Sequence, residues 1–149
     1  MSGRIEDMQY TKPTNTHALL ILKRGELVVE SLTEIAKQEK IENALISGLG
    51  AVKNIRCGYY DLAAREYHFE EYPELCEVLN LSGNIMLKEG TPFVHLHATF
   101  SDTKNHAFGG HVVEMEVGVT LEIALTLLPS SHARRYDEET GLHLIDCTE

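Results

Sequence analysis

The sequence lacks tryptophan and has only three cysteines among its 149 residues. The cysteines, Cys57, Cys76 and Cys147, are odd in number and far apart along the chain. This spacing excludes a disulfide framework and a CxxC zinc site. We therefore interpret each cysteine as a small buried hydrophobic residue rather than a nucleophile.

Long apolar runs are also missing. No stretch approaches the roughly 20 apolar residues that a membrane-spanning helix needs. The N-terminal segment, "MSGRIEDMQYTKPTNTH", is polar and has no apolar middle of the kind found in signal peptides. These features predict a cytoplasmic protein without a membrane partner. With no repeats or linkers, residues 1–16 are predicted to be a flexible lead-in and residues 17–149 a single domain.

Basic residues are scarce relative to acidic ones. The chain has 13 Lys and Arg against 23 Asp and Glu, a formal net charge of -10. At long range such a charge repels a phosphate backbone, and the sequence holds no long run of Lys and Arg. The composition therefore disfavours a protein whose main task is to bind nucleic acid.

One amphipathic helix is indicated in "ELVVESLTEIAKQEK", residues 26–40. Its apolar side chains recur at helical spacing and form one stripe: Val28, Leu32, Ile35 and Ala36. Glu26 at the start, with Lys37 and Lys40 near the end, complements the helix dipole. The helix should therefore cover one face of a sheet.

The rest of the chain is rich in short β-forming segments. They begin with "HALLILKR" at 17–24 and run to "VTLEIALTLL" near the C-terminus, and the segment 133–145 is predicted to end in a short strand. Turns are predicted at Gly48, Gly50, Asn54 and Asp61, and "SGLGAVKN" suggests a glycine-mediated turn or bulge rather than a phosphate loop. Strands around one helix predict an α+β domain.

Two histidines stand one residue apart in the predicted strand "FVHLHATFSD", residues 93–102. Because alternate side chains of a strand share a face, His95 and His97 point the same way. The intervening side chains are uniformly apolar and form the natural core face: Val94, Leu96, Ala98 and Phe100. The two imidazoles are therefore expected on the opposite face.

A third histidine should join them across a hairpin. "SDTKN", 101–105, has turn chemistry, and placing Phe100 opposite His106 sets His95 opposite His111. The same register puts His97 opposite Gly109, whose missing side chain leaves room above the rings. A slip of one residue would turn His111 to the other face.

Three converging imidazoles with an open fourth position suit a zinc ion, at about 2.0–2.1 Å per nitrogen. The competing interpretation is that these are interface histidines, hydrogen-bonded to neighbouring subunits or to water. Glu114 and Glu116 have the opposite parity to His111 and should point away from the cluster. His143, isolated near the C-terminus, is predicted to lie at the surface.

Several segments occur in an order that resembles the plants-and-prokaryotes conserved (PPC) domain. They are "LILKRGELVVESLTEIAKQEKIENALISGLGAVKNIRCGYYD", "EVLNLSGNI", "FVHLHATFSD" and "FGGHVVE", and "YDEETGL" also looks like prokaryotic members. The likeness runs from about residue 17 to the C-terminus. It implies an α+β fold with an antiparallel sheet, a homotrimer, and zinc held by His95, His97 and His111.

The resemblance also carries a DNA-binding alternative. Plant relatives carry the domain beside an Arg-Gly-Arg-Pro element that enters the minor groove, and this sequence has no such element. The leading hypothesis is a zinc-binding homotrimer that binds a small molecule or catalyses a metal-assisted hydrolytic or lyase reaction. It leaves the general acid and base unassigned. The alternatives are a DNA-associated regulatory module without catalysis and a purely structural trimer.

Overall fold

The computed structural model describes residues 9–11 and 13–148, and this part of the chain forms one helix and nine strands. In chain order the elements are β1 (Gln9–Tyr10), β2 (His17–Lys23), α1 (Val28–Gln38), β3 (Ala44–Asp61), β4 (Glu66–Tyr72), β5 (Cys76–Lys88), β6 (Thr91–Ser101), β7 (Ala107–Leu127), β8 (Ala133–Asp137) and β9 (Leu142–Asp146).

All nine strands belong to one sheet, with the order β1-β2-β7-β3-β5-β8-β9. Strand β4 pairs with β3, and β6 pairs with both β5 and β7. Every pairing is antiparallel except that of β5 with β8, which is parallel. The α+β prediction is confirmed in outline, although the sheet dominates the fold.

The predicted helix stripe is confirmed. The side chains of Val28, Leu32, Ile35 and Ala36 are buried in the main core. Glu26 precedes the helix instead of lying in its first turn, and the N-cap residue, Leu27, provides no side-chain cap. The first turn is capped from β7: the backbone N–H groups of Val29 and Glu30 donate to the Glu114 carboxylate at 2.7 and 3.1 Å.

The core lies between α1 and one face of the sheet. On β2, for example, Ala18, Leu20 and Leu22 are buried against it, whereas Leu19 is exposed on the other face. This alternation is expected for a strand with one covered face. In the described part of the chain, no helix is long and apolar enough to cross a membrane.

Three of the predicted turns are wrong, because β3 runs without interruption through Gly48, Gly50 and Asn54. Its pairing with β5 shifts register between Gly48 and Gly50, so "SGLGAVKN" contains a bulge, one of the two interpretations that its glycines suggest. A Cβ on Gly50 would lie 2.2 Å from the Thr120 carbonyl oxygen. Glycine here permits close strand approach rather than a turn.

Both ends of the described chain add strands to the sheet. Of the predicted lead-in, Gln9–Tyr10 pairs with β2, and the Tyr10 hydroxyl donates to Glu39 at 2.7 Å; residues 1–8 and 12 lie outside the described residues. At the C-terminus, β8 and β9 form a hairpin, whereas the sequence predicts one short strand there.

The cysteines divide between core and surface. Cys57 and Cys76 are buried, as predicted, and burial raises the pKa of both thiols. Cys147 is exposed, so its interpretation as a buried hydrophobic residue is wrong.

Candidate metal centre

The strand that carries the histidine pair alternates as predicted. Val94, Leu96, Ala98 and Phe100 are buried in the core. On the opposite face, His95 is half-buried and His97 is exposed. The sequence pattern alone therefore placed both imidazoles on the outer face of β6.

The predicted hairpin register is wrong by two residues. His97, rather than His95, lies opposite His111, and Phe100 lies opposite Phe108. The loop begins one residue later than predicted because the Asp102 carboxylate accepts hydrogen bonds from the Lys104 and His106 backbone, both at 2.8 Å. A shift of two preserves the face of every side chain, so His111 still joins the pair.

The structure brings the three rings together. The ring centroids of His95 and His97 are 5.0 Å apart, and those of His111 lie 5.1 Å from His95 and 5.5 Å from His97. One nitrogen from each ring lies within 4.8 Å of the others. Three imidazole donors at this separation can hold one metal ion.

The rings of His95 and His111 are held in their neutral form. Burial, assisted by the Arg134 charge and the neighbouring histidines, lowers the pKa of His95 to about 4. Burial and the charges of His97 and Arg134 also lower the pKa of His111. Metal binding needs neutral imidazoles. The buried Nδ1 atom of His111 has no hydrogen-bond partner among the described residues, as expected for an atom that binds a metal ion.

Arg134 lies directly against this cluster. Its Nη2 donates to Asn84 Oδ1 at 2.8 Å and lies 3.1 Å from His95 Nδ1. Since a guanidinium can only donate, His95 Nδ1 is the acceptor in that contact. Arg134 could not be identified as a site residue from the sequence, because its position depends on the parallel pairing of Lys88 with Arg134 between β5 and β8.

A cavity of about 340 Å³ opens beside the cluster. Its walls include aromatic, apolar and basic side chains: Tyr67, Lys88, Phe93, His95, His111, Arg134, Leu142, His143 and Leu144. The prediction that His143 is an isolated surface residue is therefore corrected. The Tyr67 ring centroid lies 4.9 Å from that of His111, and burial raises the pKa of the Tyr67 phenol.

The two acidic residues after His111 point away from the rings, as predicted. Glu114 caps α1, and Glu116 forms an ion pair with Lys53 at 3.1 Å and accepts a hydrogen bond from Asn54. In the described chain the three-histidine cluster is the one group of metal-ligating side chains with this spacing.

Comparisons with known proteins agree with this architecture. The sequence model of the Plants and Prokaryotes Conserved (PCC) domain, the family abbreviated PPC above, matches residues 8–129. A PPC protein of Pyrococcus horikoshii is 30% identical, with a TM-score of 0.82 over 95% of this chain and 96% of that one. No curated protein sequence matches the chain significantly.

Two further solved structures are similar. A metal-containing protein of Archaeoglobus fulgidus is 33% identical, with a TM-score of 0.81 over 93% of this chain and 96% of that one. A candidate DNA-binding protein of Ralstonia eutropha is 28% identical, with a TM-score of 0.84 over the same shares of the two chains.

Proposed function

The chain belongs to the Plants and Prokaryotes Conserved (PCC) domain family, and from that premise we propose that it is a cytoplasmic, zinc-binding homotrimer. His95, His97 and His111 of each subunit would hold the ion. Its role would be to bind a small molecule or to support a hydrolytic or lyase reaction. The observation that carries this proposal is the approach of three imidazole nitrogens to within 4.8 Å of one another.

The chemistry of the surrounding residues supports a metal site. A zinc ion held by three imidazoles supplies a Lewis acid with an open coordination position. His95 and His111 keep their rings neutral through burial, so protons compete weakly for their lone pairs. Tyr67 holds its phenolic proton next to His111. The similarity to a metal-containing archaeal protein is further support.

Trimer formation would cover the face on which the histidines lie. Leu45 lies opposite Asn84, which in turn lies opposite His95, so all three share one face of the sheet. On that face Leu45 and Leu49 are 48% and 56% exposed. Exposed apolar side chains grouped on a sheet face are typical of a protein interface.

Elemental analysis tests the metal site. Protein purified without metal-affinity resin should contain about one zinc per chain, and His97→Ala should lose most of it. His106→Ala, in the hairpin next to the cluster, is the matched control and should keep its zinc. A zinc content far below one per chain in the parent protein, or full retention in H97A, would contradict the proposal.

DNA association is the second candidate function. Its support is the similarity to the Ralstonia protein, a candidate DNA-binding protein. The formal net charge of -10 opposes it. A gel shift with duplex DNA at low and moderate salt tests whether the protein binds DNA, because true phosphate contacts weaken steeply as salt rises. We expect no shift at either salt concentration, and salt-sensitive binding would favour the second function.

A further inference from the structure

Within residues 9–11 and 13–148, Arg134 is a buried cation without a counter-ion. The residue is 9% exposed, and its hydrogen-bond partners are uncharged: Asn84 Oδ1, the His143 carbonyl oxygen and His95 Nδ1. Its Nε atom is buried and has no hydrogen-bond partner in the described part of the chain. No carboxylate of the described residues forms a salt bridge with it. An isolated buried charge is strongly unfavourable, so a bound anion would stabilise this arrangement.

A second cation lies at the same wall of the cavity. Lys88 Nζ and Arg134 Cζ lie 5.0 and 5.5 Å from the centroid of the Phe93 ring. None of the residues that line the cavity is acidic. Among the described residues, the carboxylate of the exposed Glu89 side chain lies 3.9 Å from His143 Nε2 and forms no salt bridge with Lys88 or Arg134. The cavity is therefore locally positive in a protein of strongly negative net charge.

The remaining walls suit an organic body. Phe93, Tyr67, Leu142 and Leu144 supply aromatic and aliphatic surface. The volume of about 340 Å³ is within the range of small-molecule sites. Apolar walls with a few converging charged groups are typical of a site that binds one class of ligand.

We propose that this cavity binds a small organic oxyanion, a carboxylate or phosphate ester with an apolar body, whose charged group pairs with Arg134 and Lys88 beside the histidine cluster. The inference rests on the proposed small-molecule function and names its ligand class. Arg134 and His143 lie beyond residues 8–129, the part of the chain that the family sequence model matches.

Calorimetric titration of the full chain tests the proposal with four probes: benzoate, its neutral counterpart benzamide, phenyl phosphate and inorganic phosphate. The parent protein is titrated in metal-free and zinc-loaded form. We expect benzoate or phenyl phosphate to bind at least tenfold more tightly than benzamide. Comparing these two anions distinguishes a carboxylate from a phosphoryl ligand, and weaker binding of inorganic phosphate shows that the apolar body contributes.

Variants assign the binding to the cavity. Arg134→Gln should weaken binding of the preferred anion at least tenfold. Arg135→Gln is the matched control, because the Arg135 side chain is 73% exposed and pairs with Asp146 at 3.0 Å; it should bind the anion as the parent does. Lys88→Gln should weaken binding severalfold, and this variant tests the anion site if R134Q does not fold.

Three results would overturn the proposal. The first is equal binding of benzoate, phenyl phosphate and benzamide. The second is no binding of either anion, which would follow if a carboxylate of a second subunit already paired with Arg134. The third is unchanged anion affinity in both R134Q and K88Q. Zinc content, measured on the same samples, reports separately on the proposed metal site. If the protein binds the anion but contains no zinc, only the proposed metal site is refuted. If it contains zinc but binds no anion, only the proposed anion site is refuted.

Discussion

Arg134 Nη2 lies 3.1 Å from His95 Nδ1, so a cationic side chain donates a hydrogen bond to the ring nitrogen of a proposed zinc ligand. Metal-bound histidines usually donate their second ring N–H to a carboxylate, carbonyl or water. Arg134 cannot play that part because a guanidinium has no acceptor. Its charge also helps to lower the pKa of His95 and His111. Arg134 therefore opposes protonation of the cluster and, by the same repulsion, binding of a dication.

We predict that Arg134→Gln binds zinc several-fold more tightly than the parent protein. The substitution removes both a positive charge and a competing donor next to His95. Competition with a chromophoric chelator at neutral pH measures the affinity, and Arg135→Gln should match the parent. Weaker zinc binding in R134Q would instead mean that the guanidinium chiefly orients the His95 ring.

The metal-free protein should lose stability as the pH falls from about 7 towards about 4. The folded pKa of His95, about 4, lies below its ordinary value of 6.5. In this window the unfolded chain binds a proton that the folded chain does not, so acidification favours unfolding. Urea unfolding of the metal-free parent and of His95→Gln at about pH 7 and about pH 5 measures the effect. The loss should be smaller in H95Q, and an identical loss would assign the pH dependence to other groups.

The histidine cluster could be predicted from the sequence because it depends on parity. Phe93, His95 and His97 alternate with core residues, and any even register shift keeps His111 on their face. The exact register could not be predicted, because Asp102 ends the strand through hydrogen bonds to its own loop. Arg134 could not be predicted for a different reason. Its place follows from a parallel pairing between segments some 46 residues apart, Lys88 and Arg134, which leaves no local pattern.

A similar limit applied to the helix. The apolar stripe of α1 predicts which face of the helix is buried. The N-cap residue, Leu27, has no polar side chain to accept the hydrogen bonds that the first turn donates, so the residue at this position does not predict a cap. The cap comes from Glu114, 85 residues from Val29 in sequence, and the parity of β7 predicts only that its side chain points away from the histidines. Long-range capping of this kind has no signature in the local sequence.

Removing that cap should destabilise the fold. We expect Glu114→Ala to lower the free energy of unfolding by about 1–2 kcal/mol, because the N–H groups of Val29 and Glu30 lose their acceptor. Glu116→Ala, which breaks an ion pair near the surface, should have a smaller effect of about 0–1 kcal/mol. Urea denaturation of both variants makes the comparison, and equal losses would contradict the capping role.

The exposed leucines on the histidine face provide a test of the proposed trimer. Leu49→Glu should shift the protein to a monomer in analytical ultracentrifugation, because a charge would be buried at the interface. The monomer should retain zinc, since all three histidines belong to one chain. Leu62→Glu, at a 59% exposed position in the turn between β3 and β4, is the control. A monomeric parent protein, or an L49E variant that remains a trimer, would contradict this assembly.

Gly83 holds β5 close to the histidine strand. A Cβ at this position would lie 2.0 Å from the His95 carbonyl oxygen, so Gly83→Ala must push the two strands apart where the cluster forms. We expect G83A to reduce zinc affinity at least tenfold and to destabilise the fold. Gly90→Ala is the control: its Cβ would meet no atom within 4 Å, and only its positive φ of 78° is unfavourable, by about 1–2 kcal/mol. G90A should therefore lose stability without losing zinc affinity. Because G83A disturbs the backbone of β6 without altering any donor atom, unchanged zinc binding in G83A would show that the site does not depend on the spacing of these strands.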